Sequence, residues 1–254
     1  MYLDAFQLTG KNALVTGSRR GLGAAIAVAL AEAGANVGCH GRDPNPTTAC
    51  DAISSTGHKT FYFSGDLADP NACSGLFEKT IAELGSLDIL VNNAGAIRRA
   101  PAAEYPMEYW DELIAVHLTA AFRLSQLAGR HMLLRGLGGK IVNIASLLSF
   151  QGGVFVPAYA AAKGGVAQLT KALANEWASK NINVNAIAPG YMETDNTMAL
   201  RSDPVRSRQI LERIPAGRWG EPKDIAGAAL FLCSPASDYV HGHVLAVDGG
   251  WLAR

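Results

Sequence analysis

The amino-acid sequence predicts an α/β fold: one doubly wound parallel sheet of about seven strands with helices on both faces. Three observations predict it. Short apolar runs alternate with stretches of helical periodicity, and repeated strand–helix–strand order calls for parallel neighbours joined by helical crossovers. The runs are apolar nearly throughout, not at every second residue, as expected of strands covered on both faces. No Pro/Ser-rich linker and no repeat of fixed period divides the 254 residues, so a single domain spanning 1–254 is expected.

The elements follow in order. Asn12 to Thr16 reads as the first strand, and Leu22 to Ala33 as a helix that Gly34 stops. Asn36 to His40 and Thr60 to Ser64 are the next strands, then Ile89 to Val91, Ile141 to Ala145, Val184 to Ala188 and a short run from Val244 to Val247. Helices are expected over about 47–57, 70–84, 108–135, 158–179 and 222–233. The stretch 191–218 breaks this rhythm with Pro204, Pro215 and Gly217 among charged residues. Two readings stand for it: a lid over the carboxyl ends of the strands, where open α/β sheets bind ligands, or a plain surface excursion.

Composition excludes several classes. Hydrophobic residues make up 49% and charged residues 17%, the balance of a globular chain. Lys+Arg and Asp+Glu are both 22, so no basic excess points to nucleic acid. Cys39, Cys50, Cys73 and Cys233 have no metal-like spacing, so no metal site and no disulfide is expected. The opening Met-Tyr-Leu-Asp lacks the basic region of a secretory signal. The longest uncharged stretch, Ile141 to Ala162, holds Asn143, Ser146, Gln151 and Pro157, which argues against a membrane span. A cytoplasmic protein is expected.

Two constellations carry chemistry. Thr16-Gly17-Ser18-Arg19-Arg20-Gly21-Leu22-Gly23 joins the first strand to the first helix. Its glycines allow a tight turn and close approach to a pyrophosphate, and the helix start offers free N–H groups to an anion, as in Rossmann-type folds. Tyr159 and Lys163 stand one helical turn apart, with Ser146 at the end of a strand-like run. An ammonium about 4 Å from a phenol, at an effective dielectric near 20, favours the phenolate by roughly 4 kcal/mol. That corresponds to about 3 pKa units, enough to bring a phenol toward neutral pH for acid–base work on an alcohol or ketone.

With Asn92-Asn93-Ala94-Gly95 after the fourth strand and Pro189-Gly190 after the sixth, the chain resembles the short-chain dehydrogenase/reductase family over nearly its whole length. The resemblance implies an NAD(P)-dependent oxidoreductase. Tyr159 would be the general acid and base, Lys163 would lower its pKa and hold the nicotinamide ribose, and Ser146 would orient the reacting oxygen. Asn92 and Gly95 would shape the cofactor cleft. The glycine loop from Gly17 to Gly23, with Leu67, Asn93, Ala94, Pro189, Gly190 and Met192, would line the cofactor. Asp66 would contact adenine, or else cap the helix near Pro70. Thr194 would bind the nicotinamide carboxamide. Where the family usually carries an asparagine in the long central helix, this chain has His117, either a proton-relay position or a packed core residue. The family also implies a homotetramer built on the long helices.

Strand two ends Cys39-His40-Gly41-Arg42-Asp43. The position usually acidic in NAD-selective chains falls on Gly41, and Arg42 with Arg19 and Arg20 suits a 2′-phosphate, so NADP(H) is expected. NAD(H), with Asp43 as a displaced acid, is the alternative. Stretches such as 92–99, 145–153, 181–192, 213–220 and 246–254 resemble the branch of the family acting on sugar acids of pectin and uronate breakdown. That branch implies a carboxylate-bearing substrate, which Arg98 and Arg99 could clamp. Ser146 and Gln151 would meet its oxygens, and Tyr191 and Trp219 would wall the pocket. Arg98 and Arg99 read equally as solvated or as a subunit contact. Reduction of a ketoacyl thioester or polyol, or a non-catalytic nucleotide sensor, are the other readings.

Overall fold

The apolar runs form one parallel sheet in the computed structural model, which describes residues 1–45 and 48–254. The strands are β1 (Asn12–Val15), β2 (Asn36–Gly41), β3 (Thr60–Ser64), β4 (Ile89–Asn92), β5 (Gly139–Ile144), β6 (Ile182–Pro189) and β7 (Val244–Val247). Their order across the sheet is β3-β2-β1-β4-β5-β6-β7. Strand order reverses between β1 and β4, and the carboxyl ends of the strands part there into a crevice.

Alternation along each strand divides the core between two faces. Ala13 and Val15 of β1 join Val37, Ile89, Val91 and Val142 under α1 (Gly21–Glu32) and α9 (Pro222–Cys233). Leu14 points the other way, with Leu90, Ile141 and Val184, toward α3 (Pro70–Leu84), α5 (Ala120–Arg135) and α6 (Pro157–Trp177). Removing such side chains from water contributes about 1.5–3 kcal/mol each, which is why near-continuous apolar runs become central strands.

Local signals set the helix ends. The Asp69 carboxylate caps α3 by accepting from the Asn71 N–H at 2.8 Å, Pro70 takes the first position, and Gly85 closes the helix with φ 82°. The expected helix 47–57 begins at a residue outside the described ones; its described part is α2 (Thr48–Ser55). The expected helix 108–135 is α4 (Met107–Ile114), a π-helical turn at Ala115–Thr119, and α5. The Ala120 N–H reaches back to the Ala115 carbonyl across that turn. Between β6 and α9 the chain forms α7 (Met198–Ser202) and α8 (Pro204–Arg213). Among the described residues no helix is long and apolar enough to cross a membrane.

Candidate active site

The glycine loop is shaped by what presses on it. Gly17 has φ +62°, and a Cβ there would lie 2.8 Å from the Ala94 Cα. A Cβ on Gly23 would lie 2.3 Å from the Gly17 carbonyl oxygen. Only glycine permits both the turn and the packing. Just after β4, Asn93 Nδ2 donates to the Thr16 and Gly17 carbonyls at 2.9 and 3.1 Å, and Thr16 Oγ1 accepts from the Asn93 and Ala94 N–H groups, each at 2.9 Å. The start of α1 thus faces a cleft of about 770 Å³, bounded also by Leu67, Gly95, Pro189, Gly190, Met192 and Thr194.

These walls fit a dinucleotide. Close packing behind the wall requires glycine at two lining positions: a Cβ on Gly190 would stand 2.6 Å from the Asp248 Cα, and one on Gly95 2.1 Å from the His117 Cε1. N–H groups at the start of α1 favour a pyrophosphate. Arg42 lines the far end near Gly41. Arg19 and Arg20 line it too, paired with Asp43 and with Asp195 (2.8 Å) respectively. Asp66 sits on the wall and accepts from the Ala68 N–H at 3.0 Å, and the α3 cap that the sequence left open to it belongs to Asp69.

At the other end, Ser146, Tyr159, Lys163 and His117 share the cleft. Ser146 ends the run after β5, and its Oγ accepts from the Leu148 N–H at 3.2 Å. That leaves the hydroxyl proton free to donate to the Tyr159 oxygen, which helps the phenolate. Lys163 Nζ donates to the Ile144 carbonyl and lies 5.6 Å from the Tyr159 ring centroid. The electrostatics correct the expectation of a phenol acidified by Lys163. Burial pushes Tyr159 above its usual range, opposed by the Ser146 hydrogen bond and the Arg99 charge. Burial also pulls Lys163 down to about 7. The cause is the dry pocket, which penalises both charged forms before either can help the other.

His117 sits in the π-helical turn with its ring edge-on to Tyr159, centroids 5.1 Å apart. Nε2 is 2.7 Å from the Ala96 carbonyl and 3.2 Å from the Ala96 N–H, and Nδ1 is buried with no hydrogen-bond partner. Burial, then the Lys163 charge, lowers the ring to about 3, so His117 is a neutral group beside the tyrosine.

Comparison with known proteins follows this geometry. A family model described as enoyl-(acyl carrier protein) reductase matches residues 17–252. The 2-dehydro-3-deoxy-D-gluconate 5-dehydrogenase of Dickeya dadantii is 52% identical over 100% of both chains. The chain belongs to the short-chain dehydrogenase/reductase family. A crystal structure assigned as 2-deoxy-D-gluconate 3-dehydrogenase from Agrobacterium tumefaciens, with bound NADP, is 58% identical, covers 98% of this chain and 99% of its own, and superposes with a TM-score of 0.93. A gluconate 5-dehydrogenase from Burkholderia cenocepacia in complex with NADP and tartrate is 40% identical over 100% of both chains, with a TM-score of 0.95. This short-chain dehydrogenase/reductase is an oxidoreductase.

Several expected contacts fall elsewhere. Asn92 turns inward, its Nδ2 donating to Asn143 Oδ1 (2.9 Å) and Ser125 Oγ (3.0 Å), because β4 alternates and puts Asn93 on the cleft instead. The Ser18 side chain is buried and accepts from the His40 N–H. Arg98 lies outside the cleft wall, held bidentately by Glu112 at 2.8 and 3.0 Å, which occupies the fork that a substrate carboxylate would need. Gln151 receives the Trp251 indole N–H at 3.4 Å, and Tyr191, edge-on to Trp219 and tilted against Trp251, lies with them behind the wall, not on it. Arg99 reaches the Asn196 carbonyl at 3.4 Å and is close enough for its charge to act on Tyr159.

Some wall residues went unread in the sequence. Glu112 of α4, Glu193 and the run Asp195 to Thr197 border the short-chain dehydrogenase cleft, as does His40 of β2. The acidic residues sit in irregular or helical stretches where nothing in their spacing marks a site. His40 carried a signal, an imidazole at the carboxyl end of a core strand, one residue before Gly41.

Proposed function

We propose that the protein is an NADP(H)-dependent oxidoreductase that interconverts a keto and a hydroxy sugar acid, a deoxy-gluconate or keto-uronate, with Tyr159 as the proton donor in reduction. The observation that carries the reading is the meeting of Ser146, Tyr159 and Lys163 with the glycine loop in one cleft, with the Arg99 cation within electrostatic reach of the tyrosine. The names of the relatives, gluconate and deoxy-gluconate dehydrogenases with NADP in two crystal structures, support the cofactor and the substrate class. Bound NADPH supplies the hydride.

The chain's own groups divide the remaining work. The Ser146 hydroxyl donates to the substrate carbonyl oxygen and holds it against the Tyr159 hydroxyl. Tyr159 passes its proton to that oxygen as negative charge develops, and withdraws it in the reverse direction. Lys163, buried beneath, returns positive charge to the pocket when it is protonated. Arg99 anchors the substrate carboxylate, since Arg98 is committed to Glu112. Arg42 and Arg19 receive the 2′-phosphate, in place of the acid that Gly41 lacks. The segment 191–218 acts as the lid, with Met192 to Thr197 on the cleft and α8 resting on Trp219 and Trp251 through Ile210 and Ile214. We further infer a cytoplasmic location and a homotetramer, the subunit contact supported by the exposed apolar side chains of α5.

NADPH and NADH consumption should be followed with a panel of keto-aldonates and keto-uronates, their neutral analogues and an acyl thioester. Turnover of the acids with NADPH, lost in Tyr159→Phe, is expected. Preference for the thioester, or for NADH, overturns the corresponding part. Arg99→Ala should raise KM for the acids more than for the neutral analogues.

A further inference from the structure

Strand β2 carries, one residue before its end, a buried imidazole that the chemistry at Tyr159 does not use. His40 is 2% exposed and lies between the glycine loop and the turn that follows β3. Its Nδ1 accepts the Gly17 N–H at 3.1 Å, and its Nε2 lies 3.0 Å from the Gly65 carbonyl. A backbone N–H only donates and a carbonyl only accepts. Nδ1 must therefore be bare and Nε2 must carry the proton, which fixes a neutral ring in one tautomer. Burial, which holds this imidazole below its ordinary pKa, favours the same neutral state.

The backbone of His40 reinforces the clasp. Its carbonyl accepts from the Ser18 N–H at 2.9 Å, and its N–H donates to Ser18 Oγ at 3.0 Å. The next residue, Gly41, accepts from the Gly65 N–H at 3.0 Å. Gly17 is thus held at both ends, by the imidazole on its N–H and by Asn93 on its carbonyl. Between those anchors the chain must run at φ +62° to deliver the start of α1 to the cleft.

We propose that His40 is a positioning residue for the dinucleotide: as the Nε2–H tautomer, its ring sets the spacing between the glycine loop and the Gly65–Asp66 turn, two edges of the cleft that grip the cofactor. The inference rests on the cleft holding a nicotinamide dinucleotide and not on any particular substrate, so it is tested without one. Leucine is apolar and strands both the Gly17 N–H and the Gly65 carbonyl. Glutamine restores an acceptor and a donor on one side chain.

Wild type, His40→Leu and His40→Gln are titrated with NADPH alone, followed by the cofactor's fluorescence, beside thermal melts of the cofactor-free proteins. The leucine variant should bind about tenfold more weakly, the scale of lost hydrogen bonds to buried partners, and glutamine should recover most of the loss. With substrate and saturating NADPH, the leucine variant should keep most of its kcat while KM for the cofactor rises. A lower Tm with an unchanged Kd marks His40 as merely structural and overturns the proposal. Wild type that fails to bind NADPH overturns the cofactor assignment along with it. Should the leucine variant not fold, the side-chain 15N spectrum of the wild-type protein at neutral pH decides. A bare Nδ1 and protonated Nε2 that shift on adding NADPH support the proposal; the opposite tautomer or an imidazolium overturns it.

Discussion

Tyr159 and Lys163 are both pressed toward their neutral forms by burial in the cleft. Their pairing was legible from i, i+4 spacing, but the balance of charge and burial was not, since a sequence does not say how dry a helix face will be. Tyr159→Phe removes the proton and keeps the ring against His117, so turnover should fall about 10²–10⁴-fold while NADPH affinity holds; stopped-flow and binding titrations read the two separately. Lys163 has a stability signature with a definite sign. Its folded pKa of about 7 lies below the ordinary 10.5, so between these values the unfolded chain binds more protons and stability rises with pH. Below 7 the cost of burying the ammonium is fully present. Lys163→Met should therefore gain most over wild type in urea midpoint at or below pH 7, with the gain shrinking as pH approaches 10.5. A pH-independent difference would remove the buried ammonium from the account.

The elements around the site show where periodicity stops being informative. The helical pattern of 108–135 is continuous in sequence, and an inserted i→i+5 turn leaves no mark on which residues are apolar. Yet that turn brings His117 to the backbone of Gly95. Gly95→Ala should displace the ring and reduce turnover at least about tenfold, because the new Cβ meets a buried imidazole that cannot retreat freely. Adding His117→Ala should recover part of the loss, and no recovery would place the damage elsewhere. In the segment 191–218, the Asp203 carboxylate caps α8 by accepting from the Val205 and Arg206 N–H groups at 2.9 and 3.1 Å. Asp203→Ala should cost about 1 kcal/mol locally, seen as faster hydrogen exchange over α8 with little change in the β-sheet amides.

At the scale of the molecule, the sheet places everything. Reversal of strand order between β1 and β4 makes the crevice, and loops from Gly17 to Thr197 meet there. Helix α5 leaves Phe122, Leu133 and Leu134 facing solvent in the single chain, Leu134 at 85% exposure. Apolar groups this exposed on a long helix are what a subunit contact would cover. Leu133→Glu combined with Leu134→Glu should lower the mass found by light scattering; an unchanged mass would exclude this part of α5 from the contact.

The sequence by itself determined the layers, the glycine loop and the grouping of Ser146, Tyr159 and Lys163, because apolar runs, glycine spacing and one-turn pairs are local patterns with local causes. Only the tertiary structure decided which arginine remains available, since Glu112 claims Arg98 from a different helix. It likewise decided that Asn93 and not Asn92 holds the loop, and that His40 clasps Gly17 to Gly65. Competition for a partner and loss of water depend on neighbours that are distant along the chain, and such neighbours are set by the packing of the whole sheet.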